Sequence, residues 1–184
     1  MNKKKIGIII GSLRKDSYSR IIANWAIEHA PENLELHIIE IGNLPMYNQD
    51  FDEDYPKEYI AFKDALKAMD GYLFVTPEHN RSMPAALKNA LDVASRPWGK
   101  SVWAGKPGAV ISLSTGAIGG FGATHHLRQS MAFLDVAMMQ QPECYLGDIA
   151  ECVNDKGELF SERTTKFLKS FLKSYANWVA KMSL

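Results

Sequence analysis

The stretch KIGIIIGSLRKDSYSR, residues 5–20, decides the fold of this chain. Its apolar run from Ile6 to Ile10 does not alternate with polar residues, which is typical of a strand buried on both faces of a parallel sheet. A polar loop follows, and apolar residues then recur at helical spacing at Tyr18, Ile21, Ile22, Trp25 and Ala26. The spacing predicts an amphipathic helix that ends at Pro31, so the stretch indicates a strand, a loop and a helix in that order.

The same alternation continues along the rest of the chain. Similar apolar runs predict strands at 71–76 and 108–113. The segment LELHIIEI at 34–41 is predicted as a second strand, and a fifth strand is expected near 136–140. Helical patterns fill the intervals, and a last helix at about 161–180 is predicted to bury Phe167 and Trp178. Strands that alternate with helices form right-handed βαβ units with helices on both sides of the sheet. We therefore predict a single doubly wound α/β domain over residues 1–184, with a five-stranded parallel sheet in three layers.

The composition excludes several classes of protein. The chain has 184 residues, 46% of them hydrophobic, and its 21 Lys and Arg residues balance its 21 Asp and Glu residues. A neutral chain has no global field that would gather nucleic acid or an anionic membrane, so neither is expected as a partner. Cys144 and Cys152 form no CxxC pair, which favours reduced thiols and no metal site. The run Ile6 to Ile10 is too short for a signal peptide, so we expect a soluble cytoplasmic protein.

Three loops are expected to carry the chemistry. In such a fold, ligands bind outside the carboxyl ends of the strands, which points to the loops after strands one, three and four. In the first, the hydroxyls of Ser12, Ser17 and Ser19 and the guanidinium of Arg14 can hold a terminal phosphomonoester. The loop matches neither a Walker A sequence nor a GxGxxG fingerprint. The alternative interpretation, left open by the residues, is that Ser17 only caps the helix and Arg14 is solvated.

The other two loops differ in character from the first. TPEHNRSMP, residues 76–84, has two prolines and side chains that can contact the edge of a polar heterocycle. STGAIGGFG, residues 114–122, has glycines that let the backbone approach a flat ligand. Separately they could be a connecting loop and a flexible turn. Because all three lie at one edge of the sheet, a ligand site is favoured.

Several segments together resemble the NADPH-dependent FMN reductases of flavodoxin-like fold, which include bacterial quinone, chromate and azo-dye reductases. GSLRKDSYSR is similar to the phosphate loop of that family, and TPEHNRSMPAALKNALDVASRP is similar to its most diagnostic stretch. AGKP at 104–107 and HLRQ at 126–129 also match in sequence and order. The resemblance spans nearly the whole chain. It implies a flavodoxin-like reductase with bound FMN and with NAD(P)H as co-substrate.

The resemblance also implies which residues bind the cofactor. In chain order the predicted set is Ser12, Arg14, Ser17, Tyr18, Ser19, Pro77, Glu78, His79, Asn80, Ser114, Thr115, Gly116, Gly119 and Gly120. The first five belong to the phosphate loop, the next four to the isoalloxazine edge and the rest to its other side. His79 stands where the family usually has tyrosine, and Gly122 where many members have arginine. No catalytic acid, base or nucleophile is assigned, because the cofactor supplies the chemistry.

The resemblance implies electron transfer to a small-molecule acceptor: a quinone, an azo compound, free flavin or a metal oxyanion. Apolar patches near 45–60 and 117–139 favour a homodimer or homotetramer. The alternatives are a flavodoxin-type electron carrier and a non-catalytic FMN-binding module. Carriers of that type are usually strongly acidic, whereas this chain is neutral. A cysteine phosphatase is excluded, because Ala150 and Glu158 stand where an arginine would follow Cys144 or Cys152.

Overall fold

The computed structural model describes residues 3–182 and contains the predicted parallel sheet. The strands are β1 Lys4–Ile10, β2 Leu34–Ile39, β3 Gly71–Pro77, β4 Pro107–Leu113, β5 Ala137–Met138 and β6 Tyr145–Leu146. Their order is β2-β1-β3-β4-β5, with β6 also paired to β4, and every pairing is parallel. This order is the flavodoxin-like arrangement, so the predicted fold class is confirmed.

The prediction of five strands was wrong in one respect. The predicted fifth strand near 136–140 is only the two-residue β5, which pairs with the start of β4, and the two-residue β6 pairs with the end of β4. The chain between them contains Pro142, and proline has no N–H group to donate to a sheet. The sheet is therefore six-stranded, and two short strands share its last position.

The helices form two layers around this sheet. They are α1 Tyr18–Glu28, α2 Lys57–Lys67, α3 Ala85–Ser95, α4 Phe121–Phe133 and α5 Glu162–Met182. Alternate residues of β1 face opposite layers: Ile8 and Ile10 pack with α1 and α5, and Ile9 packs with α2, α3 and α4. Because successive side chains on a strand point to opposite faces, this burial on both sides explains the unbroken apolar run from Ile6 to Ile10.

The burial of the last helix, α5, differs from its prediction at one residue. Phe167 is exposed, so its predicted burial was wrong. The buried positions are instead Leu168, Phe171, Leu172, Tyr175, Ala176 and Val179. Trp178 is half-buried, and its indole N–H donates to the carbonyl of Ala137 in β5 at 2.7 Å. The helix therefore covers the edge of the sheet as well as its face.

Residues 3–182 contain neither a membrane-spanning helix nor a cluster of side chains that could hold a metal ion. None of the helices there is both long enough and apolar enough to cross a membrane. No group of three or more histidine, cysteine, aspartate or glutamate side chains in that part of the chain could hold a metal ion.

Candidate functional site

The three predicted loops meet at the carboxyl edge of the sheet, because β1, β3 and β4 are neighbours there. The first loop leaves β1 at Gly11, whose N–H donates to the carbonyl of Val75 at 2.9 Å. A Cβ atom at Gly11 would lie only 2.3 Å from Oγ1 of Thr76. Glycine is therefore required at the point where the first loop passes the second.

The first loop contains two buried hydroxyl groups at the start of α1. Ser17 caps the helix, since its Oγ accepts from the N–H of Arg20 at 3.2 Å. A hydroxyl that accepts one bond can still donate another. Ser19 is 1% exposed, and its Oγ has no hydrogen-bond partner among the described residues. A buried hydroxyl without a partner is costly, which indicates a ligand that would accept its proton.

The arginines of the first loop have different partners. Arg20 donates to both carboxylate oxygens of Glu40, at 3.0 and 2.9 Å. Arg14 is exposed, forms no ion pair with the described residues and lies 5.6 Å from the centre of the Tyr18 ring. Free N–H groups at a helix N-terminus, buried hydroxyls and an unpaired guanidinium together fit a phosphate dianion.

The second loop is a tight two-residue turn. His79 and Ser82 exchange backbone hydrogen bonds of 2.9 and 3.0 Å. The two residues between them, Asn80 and Arg81, have φ angles of 51° and 63°. This left-handed region is uncommon for residues other than glycine, and asparagine tolerates it better than arginine does. The turn holds the exposed side chains of His79 and Asn80 at the rim of the site.

Glu78 connects the second loop to the third. Its side chain is 11% exposed, and Oε2 accepts from the N–H of Ala123 in the first turn of α4 at 3.2 Å. Oε1 lies 3.3 Å from Nη1 of Arg81. A Cβ atom at Gly122 would lie 2.6 Å from the carbonyl oxygen of Arg81. The absence of a side chain at Gly122 therefore lets the turn pack directly against α4, which the sequence did not indicate.

The third loop is closed by Ser114 and two glycines. Ser114 Oγ donates to the carbonyl of Gly116 at 2.7 Å and accepts from the N–H of Gly119 at 3.1 Å. Gly119 and Gly120 are buried, with φ angles of 66° and 84°. A Cβ atom at Gly120 would lie 2.8 Å from that of Ser112. Both glycines are thus required by close packing, whereas Thr115 and Gly116 are exposed.

A cavity of about 670 Å³ opens beside the second loop, between α3 and α4. We call it the loop-side cavity, and it is lined by His79, Asn80, Ser82, Met83, Ala85, Lys88, His126, Gln129 and Ser130. His126 Nδ1 lies 2.8 Å from Ser82 Oγ, so α4 also holds the turn. The predicted set missed Lys88 and His126. Lys88 lies in the stretch TPEHNRSMPAALKNALDVASRP and His126 begins the HLRQ segment, and both segments are among those that resemble the family.

The chain is similar to a known family and to several known proteins. Residues 4–151 match the model of a family described as NADPH-dependent FMN reductase. A quinone reductase from Pseudomonas putida is 51% identical over 175 residues, which cover 95% of this chain and 94% of that protein. A 2-hydroxy-1,4-benzoquinone reductase from a Burkholderia species is 49% identical, with coverage of 95% and 96%.

A solved structure extends the similarity to three dimensions. FerB, a flavoenzyme NAD(P)H:(acceptor) oxidoreductase from Paracoccus denitrificans, is 38% identical and superposes with a TM-score of 0.90. The superposition covers 97% of this chain and 98% of FerB. The similarity therefore includes all three loops at the carboxyl edge of the sheet.

Proposed function

This chain belongs to the family of NADPH-dependent FMN reductases, and from that premise we propose that it reduces quinones with electrons from NAD(P)H. FMN is its cofactor and NAD(P)H its co-substrate, as the family description and the named relatives support. Bound at this site, FMN would supply the redox chemistry that transfers two electrons from NAD(P)H to the acceptor. The residues of this chain bind and orient that cofactor.

One observation carries the assignment of the cofactor site. The buried Ser19 hydroxyl without a partner lies at the N-terminus of α1, in the same loop as the unpaired Arg14. A terminal phosphomonoester would accept from both, and from Ser12 and Ser17. We assign the FMN phosphate to this loop, with Tyr18 beside Arg14.

The other two loops fit the flavin ring. The backbone of residues 77–80 is held by the turn at His79 and by Glu78, so it offers a fixed edge for the polar heterocycle. On the other side, Ser114 holds the exposed backbone of Thr115 and Gly116. A cradle that does not reorganise when the ring binds keeps the entropic cost of binding low.

The quinone substrate class rests on the relatives. The relatives at 51% and 49% identity are named for the reduction of quinones, one of them for 2-hydroxy-1,4-benzoquinone. We place the acceptor at the loop-side cavity, because that cavity opens beside His79 and Asn80. A flavodoxin-type carrier is not favoured, since these relatives are reductases and the chain has no net charge.

Spectroscopy and kinetics test this function. The purified protein is expected to release FMN on denaturation and to bleach when NADPH is added without oxygen. Addition of 1,4-benzoquinone should restore the oxidised spectrum, and steady-state rates should give parallel double-reciprocal lines, as expected when one flavin face serves both substrates in turn. A purified protein that binds no FMN, or whose reduced form does not react with a quinone, would contradict the proposal.

Two further proposals concern the setting of the enzyme. We place it in the cytoplasm, which the free thiols of Cys144 and Cys152 support. We also propose a homodimer or homotetramer. This is supported by large apolar side chains that are exposed within or beside the two patches singled out in the sequence: Met46, Ile60, Ile118, Phe121 and Phe133.

A further inference from the structure

The turn between β3 and α3 is held in a conformation that its own sequence does not favour. Asn80 and Arg81, its two central residues, have φ angles of 51° and 63°. In two-residue turns with positive φ at both central positions, the second residue is usually glycine. An arginine there costs free energy, and such strain persists only where the surrounding structure fixes the backbone. Contacts from outside the turn are therefore needed to keep its shape.

The backbone at the start of α4 supplies two of these contacts. A Cβ atom at Gly122 would lie 2.6 Å from the carbonyl oxygen of Arg81, so the turn packs directly on the backbone of the helix. The N–H of Ala123 donates to the carboxylate of Glu78 at 3.2 Å. Both ends of the strained segment are thus fixed from the side of α4.

His126 supplies the third contact, through its side chain. Its Nδ1 lies 2.8 Å from Oγ of Ser82, and a hydroxyl can donate to one tautomer of the ring and accept from the other. Ser82 closes the turn, because its backbone exchanges hydrogen bonds of 2.9 and 3.0 Å with His79. Position 126 follows Gly122 by four residues, so the two are neighbours on the helix surface. One face of α4 therefore holds the turn.

We propose that Gly122 and His126 are positioning residues for the flavin ring, on which they act through the turn of residues 78–82. The inference rests on the proposed function, in which the backbone of residues 77–80 is the edge offered to the ring. Neither residue belongs to the set predicted to bind the cofactor. Once α4 releases the turn, its strained central residues relax and that edge is no longer fixed. The ring then binds only at the added cost of ordering the backbone.

Loss of this positioning has a signature that differs from loss of a phosphate contact. In the proposed site the turn contacts only the flavin ring, whereas Arg14 contacts the phosphate. FMN, riboflavin and lumiflavin carry the same ring, and only FMN carries the phosphate. Release of the turn should therefore weaken the binding of all three by the same factor, whereas loss of a phosphate contact weakens FMN alone.

A double-mutant cycle tests the role of His126. We expect Ser82→Ala and His126→Ala each to raise the Kd of the apoprotein for lumiflavin by about two- to tenfold, the range for one lost hydrogen bond. The double variant should show no further increase, because both changes remove the same contact. His126→Asn, which keeps a polar atom near the position of Nδ1, should restore most of the affinity.

His125→Ala is the matched control for this cycle. The ring of His125 lies against Phe121 and Tyr145 rather than against the turn, so the Kd for lumiflavin should stay at the wild-type value. Circular dichroism checks that every variant is folded. Wild-type affinity in Ser82→Ala and His126→Ala, effects that add in the double variant, or a loss confined to FMN would overturn the role of His126.

Gly122→Ala tests the same docking without removing a hydrogen-bonding group. The methyl group would push the carbonyl of Arg81 away from α4, whereas alanine in itself favours a helix more than glycine does. We expect the Kd for lumiflavin to rise by about the same factor as in His126→Ala. A variant that binds lumiflavin as tightly as the wild type would overturn the role of Gly122.

The inference and the proposed function fail in distinguishable ways. A wild-type apoprotein that binds neither FMN nor lumiflavin would contradict the proposed function itself. A wild type that binds FMN and reduces quinones, but whose His126 and Gly122 variants bind all three flavins normally, would contradict only the role of α4.

Discussion

Arg14 and Arg20 both carry a positive charge near the start of α1, but only Arg14 is free to bind a ligand. The guanidinium of Arg20 forms an ion pair with Glu40, whereas Arg14 has no ion-pair partner among residues 3–182. Arg14→Ala should therefore weaken FMN binding by about 1.5–3 kcal/mol, the range for hydrogen bonds to charged groups. Riboflavin, which lacks the phosphate, should bind with nearly unchanged affinity. Fluorescence titration of the apoprotein with both flavins measures the difference.

Arg20→Ala is the matched control for this experiment, because it removes the same charge from a side chain that is already paired. It should leave the ratio of FMN to riboflavin affinity close to the wild-type ratio. If Arg14→Ala lowers both affinities equally, the phosphate does not bind in the first loop.

The two thiols also differ, and the difference is in their accessibility. Cys144 is 1% exposed, and burial raises the pKa of its thiol, which keeps it in the unreactive protonated form. Cys152 is half-buried, with its sulfur 3.5 Å from the hydroxyl of Thr164. Iodoacetamide should label Cys152 first in the native protein and Cys144 only after denaturation. Peptide mass spectrometry reads both sites, and labelling of Cys144 at a similar native rate would contradict its burial.

Gly120 shows why the third loop cannot be probed with bulky residues. Its φ of 84° and the 2.8 Å approach to Ser112 imply that Gly120→Ala lowers the free energy of unfolding by about 1–3 kcal/mol from backbone strain alone. Gly116→Ala is the control, because nothing lies within 4 Å of a Cβ atom there. Urea unfolding compares the two. Similar midpoints would show that the loop relaxes around the added methyl group.

At the scale of elements, the N-terminus of α4 depends on a side chain from another loop. No side chain of its own caps α4, because the cap position is Gly120. The carboxylate of Glu78 lies there instead, where it interacts favourably with the helix dipole. Glu78→Ala should destabilise the protein by about 1–3 kcal/mol, since the amide of Ala123 loses a charged acceptor. Glu53→Ala, at an exposed position, should change the unfolding free energy by less than about 0.5 kcal/mol.

The fold was largely predictable from the sequence, because β1, β3 and β4 are buried over most of their length and leave unbroken apolar runs. β6 was not, since a pair formed by Tyr145 and Leu146 is too short to give a periodic signal. Phe167 was misplaced because it lies one residue before the buried stripe that begins at Leu168. In a helix, a shift of one residue turns a side chain by about 100°.

The site was predictable at the level of its loops but not of its contacts. Hydroxyls and arginine in the first loop pointed to phosphate because those groups bind it wherever they occur together. The role of Glu78 depends on a close approach between residues 45 positions apart, and no local pattern encodes that distance. The close packing of Gly119 against residues 145–147 depends in the same way on a segment that is distant in the sequence.

At the scale of the whole molecule, two buried tyrosines link stability to alkaline pH. Tyr175 donates to the carbonyl of Tyr72 at 2.7 Å, and burial raises the pKa of both hydroxyls. In the unfolded chain a tyrosine ionises near pH 10, so above that pH the native state binds more protons than the unfolded state. Stability should therefore be fully retained below about pH 10 and fall as the pH rises further.

Tyr175→Phe tests this linkage. The variant should be less stable by about 1 kcal/mol near neutral pH, because one hydrogen bond is lost. Its stability should fall less steeply above about pH 10, since one group no longer titrates. Urea unfolding at several pH values measures both slopes, and identical slopes would mean that Tyr175 does not contribute to the alkaline transition.

The short strands β5 and β6, which share the last position of the sheet beside β4, also affect how this protein can aggregate. An edge strand normally presents a continuous row of free N–H and carbonyl groups on which a foreign strand can assemble. Here β5 and β6 are only two residues long, and Pro142 lies between them. The carbonyl of Ala137 already accepts a hydrogen bond from the indole N–H of Trp178. Strand addition is thus blocked on this side, and the six-residue β2 is left as the edge from which ordered aggregates would have to grow.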